Sequence, residues 1–338
     1  MNTDIGPTTS DLSLRLHRMI ELPKLLLTAN VSSVFQICAR LEDAAEPVIC
    51  DASHLVVAEP MALCALVAQL SRLHRTGRDV QVIGLSRQFK AQLEKLDFLS
   101  RSLHLAKTEG DSGYQGTLHV YHVRNESEGN EIGNEIARSM ASLIPSWNPA
   151  TSALVPPERN NAIVFPLAYI FTELIDNGMR HGRGRGYHDA SVWLSAQYHP
   201  PMGLIRLAVA DDGCGFLATF QGRQDLQLKS HAEAIRAAFR PFTSSKRDVG
   251  LFADAQHQGL GLTICRDLAR RSDGSVTVVT GNAWMTNPEF HGEQSRSAPF
   301  WQGSVLSVEL RLPALNLVNF FEITNRYNPD PSLRLRFM

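Results

Sequence analysis

Hydrophobic and polar positions along the chain follow two rhythms, and the changes between them lay out its elements. From 31 to 124, apolar residues recur at helical spacing in VFQICARLEDA, run together in PVICDAS, return to helical spacing in MALCALVAQLSRLHRTG, shorten to VQVIGL and end in the helical RQFKAQLEKLDFL. That alternation predicts a βαβ arrangement. Pro60 stands near the first turn of the second helix and Gly77 just past its end, the favoured asymmetry of helix termini. Ahead of this region, LSLRLHRMIELPKLLL predicts an edge strand or a short amphipathic piece.

TLHVYHV alternates as a strand, and the polar run after it predicts a domain boundary near 125–130. NEIGNEIARSMASLI then reads as an amphipathic helix closed by the breaker run PSWNPATSALVPPERN. Farther on come a helical FPLAYIFTELIDNGMRHGRGRG, a strand LIRLAVADDGCGF, a helix around HAEAIRAAF and a helix TICRDLARRSDG.

At 338 residues the chain exceeds the usual span of one compact core, so two domains are expected. Hydrophobic residues at 43% and charged ones at 20% are ordinary for a globular protein, and a net charge of -1 argues against nucleic acid or an anionic membrane as partner. The five cysteines, Cys38, Cys50, Cys64, Cys214 and Cys265, form no CxxC pair, which fits a reducing cytoplasm better than a disulfide framework. MNTDIGPTTSDLSLRLHRM lacks the marks of a signal peptide, and no apolar stretch approaches the ~20 residues needed to span a bilayer. A transmembrane sensor is therefore not expected.

Three segments carry candidate chemistry. In FPLAYIFTELIDNGMRHGRGRG, Glu173, Asn177 and His181 fall four apart and project from nearly one helical face. An acid and an amide on an inward face need a partner, and a metal-bound polyphosphate would supply one, although ExxxN alone equally describes a solvated face. The strand LIRLAVA ends in Asp211-Asp212-Gly213-Cys214-Gly215, where glycines allow close approach to a flat ligand and a carboxylate can accept a hydrogen bond from an adenine amino group. The same run could be a calcium-binding turn or a plain hairpin. AAFRPFTSSK leads through a polar stretch to Gly259-Leu260-Gly261-Leu262 and a helix, a setting that offers free N–H groups to phosphate, or is simply a turn. No GxxxxGK(S/T) occurs, so this is not a Walker A loop.

Order and spacing together change the picture. ELIDN with a later histidine, then DDGCG, FRPFTSSK, GLGLTICRDLARRSDGSVTV and WQGSVLSVELRLP resemble the successive boxes of the GHKL ATPase superfamily, across about 160–313. That resemblance implies a Bergerat-type α/β sandwich, a mixed sheet with helices on one face, binding ATP and magnesium. It implies that Asn177 is the magnesium ligand and that Glu173 is the catalytic acid or base. Asp211 would read adenine, Gly213 and Gly215 would shape the base pocket, and Gly259, Leu260, Gly261 and Leu262 would line the phosphate side. Lys246 and Arg247 would lie in the lid as a charge clamp or a solvated basic pair, within a long segment 217–258. His181 would close the phosphate pocket or pack in the core. Gly178 stands where relatives mostly carry alanine, a change expected to loosen the helix and leave the pocket intact.

Residues 31–105 resemble a STAS domain, the fold of anti-sigma factor antagonists, with Asp51-Ala52-Ser53 at a strand end followed by a loop and a long helix. Phosphorylatable members carry Asp-Ser-Ser-Gly where this chain reads Glu59-Pro60-Met61-Ala62, so Met61 replaces the acceptor serine. The expected organisation is a STAS-like regulatory domain at 1–125, a linker helix and loop at 126–160, the ATP-binding domain at 161–313 and a tail at 314–338. No His-Glu-(Leu/Phe)-Arg-Thr-Pro box is present, and His74-Arg75-Thr76 lacks the proline, which counts against an autophosphorylating histidine kinase. The transducer domain that gyrase and MutL proteins need is also not expected.

Two functions follow. One is an ATPase or anti-sigma-like serine/threonine kinase acting on a protein partner, and the other is a nucleotide-gated binding switch with little catalysis. A histidine kinase-like ATPase without its own acceptor is a third reading, and homodimerisation is left open.

Overall fold

The computed structural model describes residues 19–86, 117–123, 125–144, 146–148, 153–155, 161–223, 225–244, 259–288 and 295–327. The helix expected from RQFKAQLEKLDFL lies outside them.

The N-terminal unit begins with β1 (Met19–Glu21) and β2 (Leu25–Leu26), then α1 (Val31–Asp43), β3 (Val48–Asp51), β4 (Val57–Ala58), α2 (Pro60–Arg75) and β5 (Val80–Ile83). β1, β3 and β5 form a parallel sheet in that order, and β2 pairs with β4 alongside. The alternating burial of β3 and β5 matches strands whose inward residues, Val48, Cys50, Val80 and Val82, meet the helices.

The sheet that carries the candidate site has the order β11 (Ser275–Thr286), β12 (Arg296–Arg311), β10 (Leu204–Asp211), β9 (Val192–His199), β6 (Thr117–Val123). Every described pairing in it is antiparallel, whereas a mixed sheet was expected. The reason is local: β9 turns into β10 through a tight Pro200–Met202 helical turn ending at Gly203, and β11 returns on itself as β12. β6, the strand of TLHVYHV, supplies one edge of this sheet and so belongs to it by pairing.

On one face of the sheet lie α3 (Glu126–Ser142), α4 (Asn161–Asp176) and α7 (Gly261–Arg271), packed over Leu194, Leu207, Val209, Leu306 and Val308. Between β7 (Ser146–Asn148), paired with β8 (Ala153–Val155), and α7 come two short helices, α5 (Gly215–Thr219) and α6 (His231–Ala238). The chain closes with α8 (Leu312–Leu315) and α9 (Phe320–Arg326), and Phe320 reaches Tyr169 on α4 with ring centroids 5.4 Å apart. The apolar start of the tail is thus docked on the site-bearing helix layer.

The other face of the same sheet is covered by α1 and α2 of the N-terminal unit. One buried cluster runs from Val48 and Cys50 through both helices to Trp193, Ala208, Ala210, Trp301 and Val305. Small residues explain the fit. Ala62, Cys64, Ala65 and Ala68 let α2 lie close to β10, where the Cys64 thiol donates to the Ala208 carbonyl at 3.6 Å. Arg206 of β10 bridges Glu59 at 3.1 Å and Glu309 at 3.2 Å, and the Glu59 carboxylate accepts the Thr28 N–H at 2.7 Å. Phe35 of α1 meets the Trp301 ring edge-on at 5.3 Å. No helix among the described residues is long and apolar enough to cross a membrane.

Because Phe35 is shared between the two units, Phe35→Ala is expected to lower the stability of the whole chain by about 3–5 kcal/mol. Urea unfolding checks this; an unchanged midpoint and slope would contradict a shared core.

Candidate functional site

The site forms where α4 ends, β10 ends and α7 begins. α4 brings in Glu173 on its last turn, one turn below Asn177. The Asn177 amide nitrogen donates to the Glu173 carbonyl at 2.6 Å, leaving the amide oxygen as its atom able to ligate a cation. From Asn177 to Gly182 the helix widens to i→i+5 hydrogen bonding. His181 and Gly182 both lie on this widened turn. The His181 carbonyl accepts from the Gly184 N–H at 3.2 Å and the Cys214 thiol at 3.1 Å.

The phosphate-side turn closes directly over Glu173. A Cβ at Gly261 would stand 1.9 Å from Glu173 Oε2, so only glycine lets the α7 N-terminus approach the acid this closely. An 11-residue helix thereby points its first-turn N–H groups and positive dipole end at the space beside a carboxylate and an amide. Burial pushes the Glu173 carboxyl up to about 7, and nearby Asp176 adds to this, while the Tyr169 hydroxyl and Arg180 oppose it. Cys265, the next turn of α7, is buried with its thiol pushed well above the ordinary range by burial and by Glu173. The lid side joins here too: Gly259 lies against the Thr243 backbone, and Phe239 accepts hydrogen bonds from Thr263 at 3.1 Å and Arg266 at 3.4 Å. FRPFT and GLGL therefore meet, as their order in the sequence suggests.

At the opposite end, Asp211 closes β10 as a buried residue, 2% exposed. One carboxylate oxygen accepts the Gly213 N–H at 3.0 Å and the other the Ser304 hydroxyl. Each retains a lone pair for a further donor. The widened turn packs against this group, and a Cβ at Gly182 would sit 2.9 Å from Asp211 Oδ1. Gly178 of the same turn lies against Val192, where a Cβ would come 3.0 Å from a methyl group and require Val192 to give way. Cys214 donates its N–H to the Gly182 carbonyl at 2.9 Å, and the Phe216 N–H just beyond Gly215 donates to the Thr280 hydroxyl at 3.3 Å. Burial pushes the Asp211 carboxyl up to about 7, against the pull of its Ser304 and Gly213 hydrogen bonds.

The structure thus gathers Glu173, Asn177, Gly259, Leu260, Gly261 and Leu262 at one end and Asp211, Gly213 and Gly215 at the other, with His181 on the turn between. Lys246 and Arg247 lie outside the described residues. Ser304, Gly182 and Tyr169 escaped the sequence reading. Ser304 sits inside the WQGSV box, and Gly182 is the second glycine of a GxxxG run from Gly178, so each had a signal in plain view. Among the described residues no three His, Cys, Asp or Glu side chains form a metal cage, so a cation at Asn177 would draw its other oxygens from phosphate and water. A separate groove of about 470 Å³, lined by Glu21, Lys24, Ser33, Arg40 and His54 among others, belongs to the N-terminal unit and shares no residue with this site.

Residues 164–314 match the family of histidine kinase-, DNA gyrase B-, and HSP90-like ATPases. The chain therefore carries a GHKL-type ATPase domain over that span, a class that binds ATP, usually with magnesium. No curated protein matches the chain at a significant level.

The raised carboxyl of Asp211 sets a pH dependence. From an ordinary value of 3.8 to about 7 in the fold, the folded protein keeps a proton that the unfolded chain has released. Stability of the nucleotide-free protein should fall as pH rises between about 4 and 7, and Asp211→Asn should flatten that slope. Thermal unfolding across the window measures it; identical slopes in both proteins would contradict the assignment.

Proposed function

We propose that the chain is a Mg-ATP-dependent signalling protein that hydrolyses ATP, or passes its terminal phosphate to a serine or threonine of a protein partner. One observation carries this reading: an acid with a raised pKa, Glu173, lies directly beneath the N-terminus of α7 at Gly261, with Asn177 one turn away. A nucleotide-only pocket needs the phosphate-binding turn, whereas a desolvated acid beside it is what a general base requires.

In this reading Asn177 offers its amide oxygen to magnesium, which would neutralise and orient the phosphates when bound. Glu173 takes a proton from the attacking water or hydroxyl, and its value near 7 makes turnover rise with pH through that region. The first-turn amides around Gly259, Leu260, Gly261 and Leu262 hold phosphate oxygens. Asp211 accepts from the adenine amino group, Gly213 and Gly215 allow the base to lie against the backbone, and Lys246 or Arg247 clamps the terminal phosphate from the lid. His181, on the widened turn, helps close the phosphate side of the pocket.

The N-terminal unit is proposed to be a STAS-like regulatory domain. Met61, at the position of the acceptor serine in phosphorylatable relatives, is fully buried in the first turn of α2, so regulation here works through docking and not through phosphorylation at that point. That docking favours a second reading, a nucleotide-gated switch with little turnover, because both N-terminal helices pack on the back of the sheet that ends in Asp211.

Asn177→Ala should abolish magnesium-dependent ATP binding, and Glu173→Gln should keep binding while lowering turnover by about 10²–10⁴-fold. Phosphate release and transfer to candidate partner proteins from labelled ATP are the readouts. Wild-type turnover in Glu173→Gln would eliminate the catalytic reading and leave the switch.

A further inference from the structure

Two links from the N-terminal unit converge on the backbone at the base end of the site. Arg75, the last residue of α2, pairs with the Asp212 carboxylate and also donates to the Asp189 carbonyl. The Asp212 side chain is 1% exposed, and its other oxygen accepts the Ser191 N–H at 2.7 Å. Arg75 therefore ties together the end of α2, the 189–191 stretch that follows the widened turn, and the residue next to Asp211. The second link comes from a different helix. Phe35 of α1 packs edge-on against Trp301, whose indole N–H donates to the Asp211 carbonyl at 3.2 Å.

We infer that Arg75 is a positioning residue of the nucleotide site: through Asp212 it holds the turn that presents Asp211 and Gly213 to the base, so nucleotide affinity and base preference depend on the docked N-terminal unit. The inference rests on the reading of Asp211 as the adenine-binding carboxylate. The physical reason is the burial of Asp212. A buried carboxylate loses its one direct ion pair when Arg75 is removed, and the Ser191 N–H with the more distant Arg72 charge does not replace it. The carboxylate must take up a proton, draw in water or shift, each of which changes its hydrogen bonding beside its neighbour along the chain, Asp211. The dependence runs both ways: a base held by Asp211 strengthens the contact between α2 and the turn by the same factor that the contact strengthens base binding.

The test is calorimetric titration of the full chain with ATP, ADP and GTP, comparing wild type, Arg75→Gln, Arg75→Lys, Asp212→Asn and the Arg75→Gln/Asp212→Asn pair. Arg75→Gln is expected to weaken ATP and ADP alike, by about 10-fold, and to narrow the preference for ATP over GTP. Equal effects on ATP and ADP mark the base end of the site, since a phosphate-end defect would fall mainly on ATP. Arg75→Lys should recover part of the loss, and the double variant should be no worse than the more damaged single one. Wild-type affinity and base preference in Arg75→Gln, even with a lower melting temperature, would reduce the contact to a structural one and overturn the inference. If Arg75→Gln does not fold, Arg75→Lys and Asp212→Asn decide it, and unchanged affinity and preference in both overturn it. A wild-type protein that binds no nucleotide would instead overturn the adenine reading, and this inference with it.

Discussion

The carboxylate of Asp211, removed from water at the end of a central strand, is the constraint around which the rest of the site is arranged. A buried acid must be given hydrogen-bond donors, and three separate parts of the chain meet to do so or to seal it: the Gly213 N–H, the Ser304 hydroxyl from β12 and the widened turn at Gly182. Burial still lifts the carboxyl to about 7 against the hydrogen bonds from Ser304 and Gly213. An adenine amino group is the partner proposed for it.

The same strand has two faces, and this joins the two units. β10 turns Ile205, Leu207 and Val209 toward α4 and α7 and turns Ala208 and Ala210 toward α2. A helix rich in alanine can lie against the second face with little cost in volume, which is why MALCALVA, a plain apolar helix by its pattern, serves as a docking surface. The same face carries Ser195, Gln197 and Ser307, with buried polar atoms that find no partner among the described residues. Such atoms make the docked layer weaker than a sealed core. They suit a contact whose strength can be tuned.

Much of the architecture is legible in the order of residues. The spacing of α1, α2, α4 and α7, the strand before DDGCG and the convergence of the FRPFT and GLGL boxes all follow local pattern, and local pattern reflects which face is buried. β9 escaped because VWLSAQYH is buried on both faces while mixing polar with apolar residues, so neither alternation nor a clean apolar run marks it. Nothing local in the spacing of Glu173, Asn177 and His181 announces the change to wider helical bonding at Asn177. Arg75 and Asp212 are 137 residues apart, and no local spacing relates them. Only the packing of α2 on the back of the sheet brings Arg75 onto the buried Asp212 carboxylate.

The account stands or falls on adenine nucleotide occupying the space between Glu173, the α7 N-terminus and Asp211. Titration of the folded, full-length chain with ATP at millimolar magnesium, followed by heat release, measures this directly. The account predicts saturable binding at one site per chain. No heat of binding and no shift in melting temperature on adding nucleotide would contradict it.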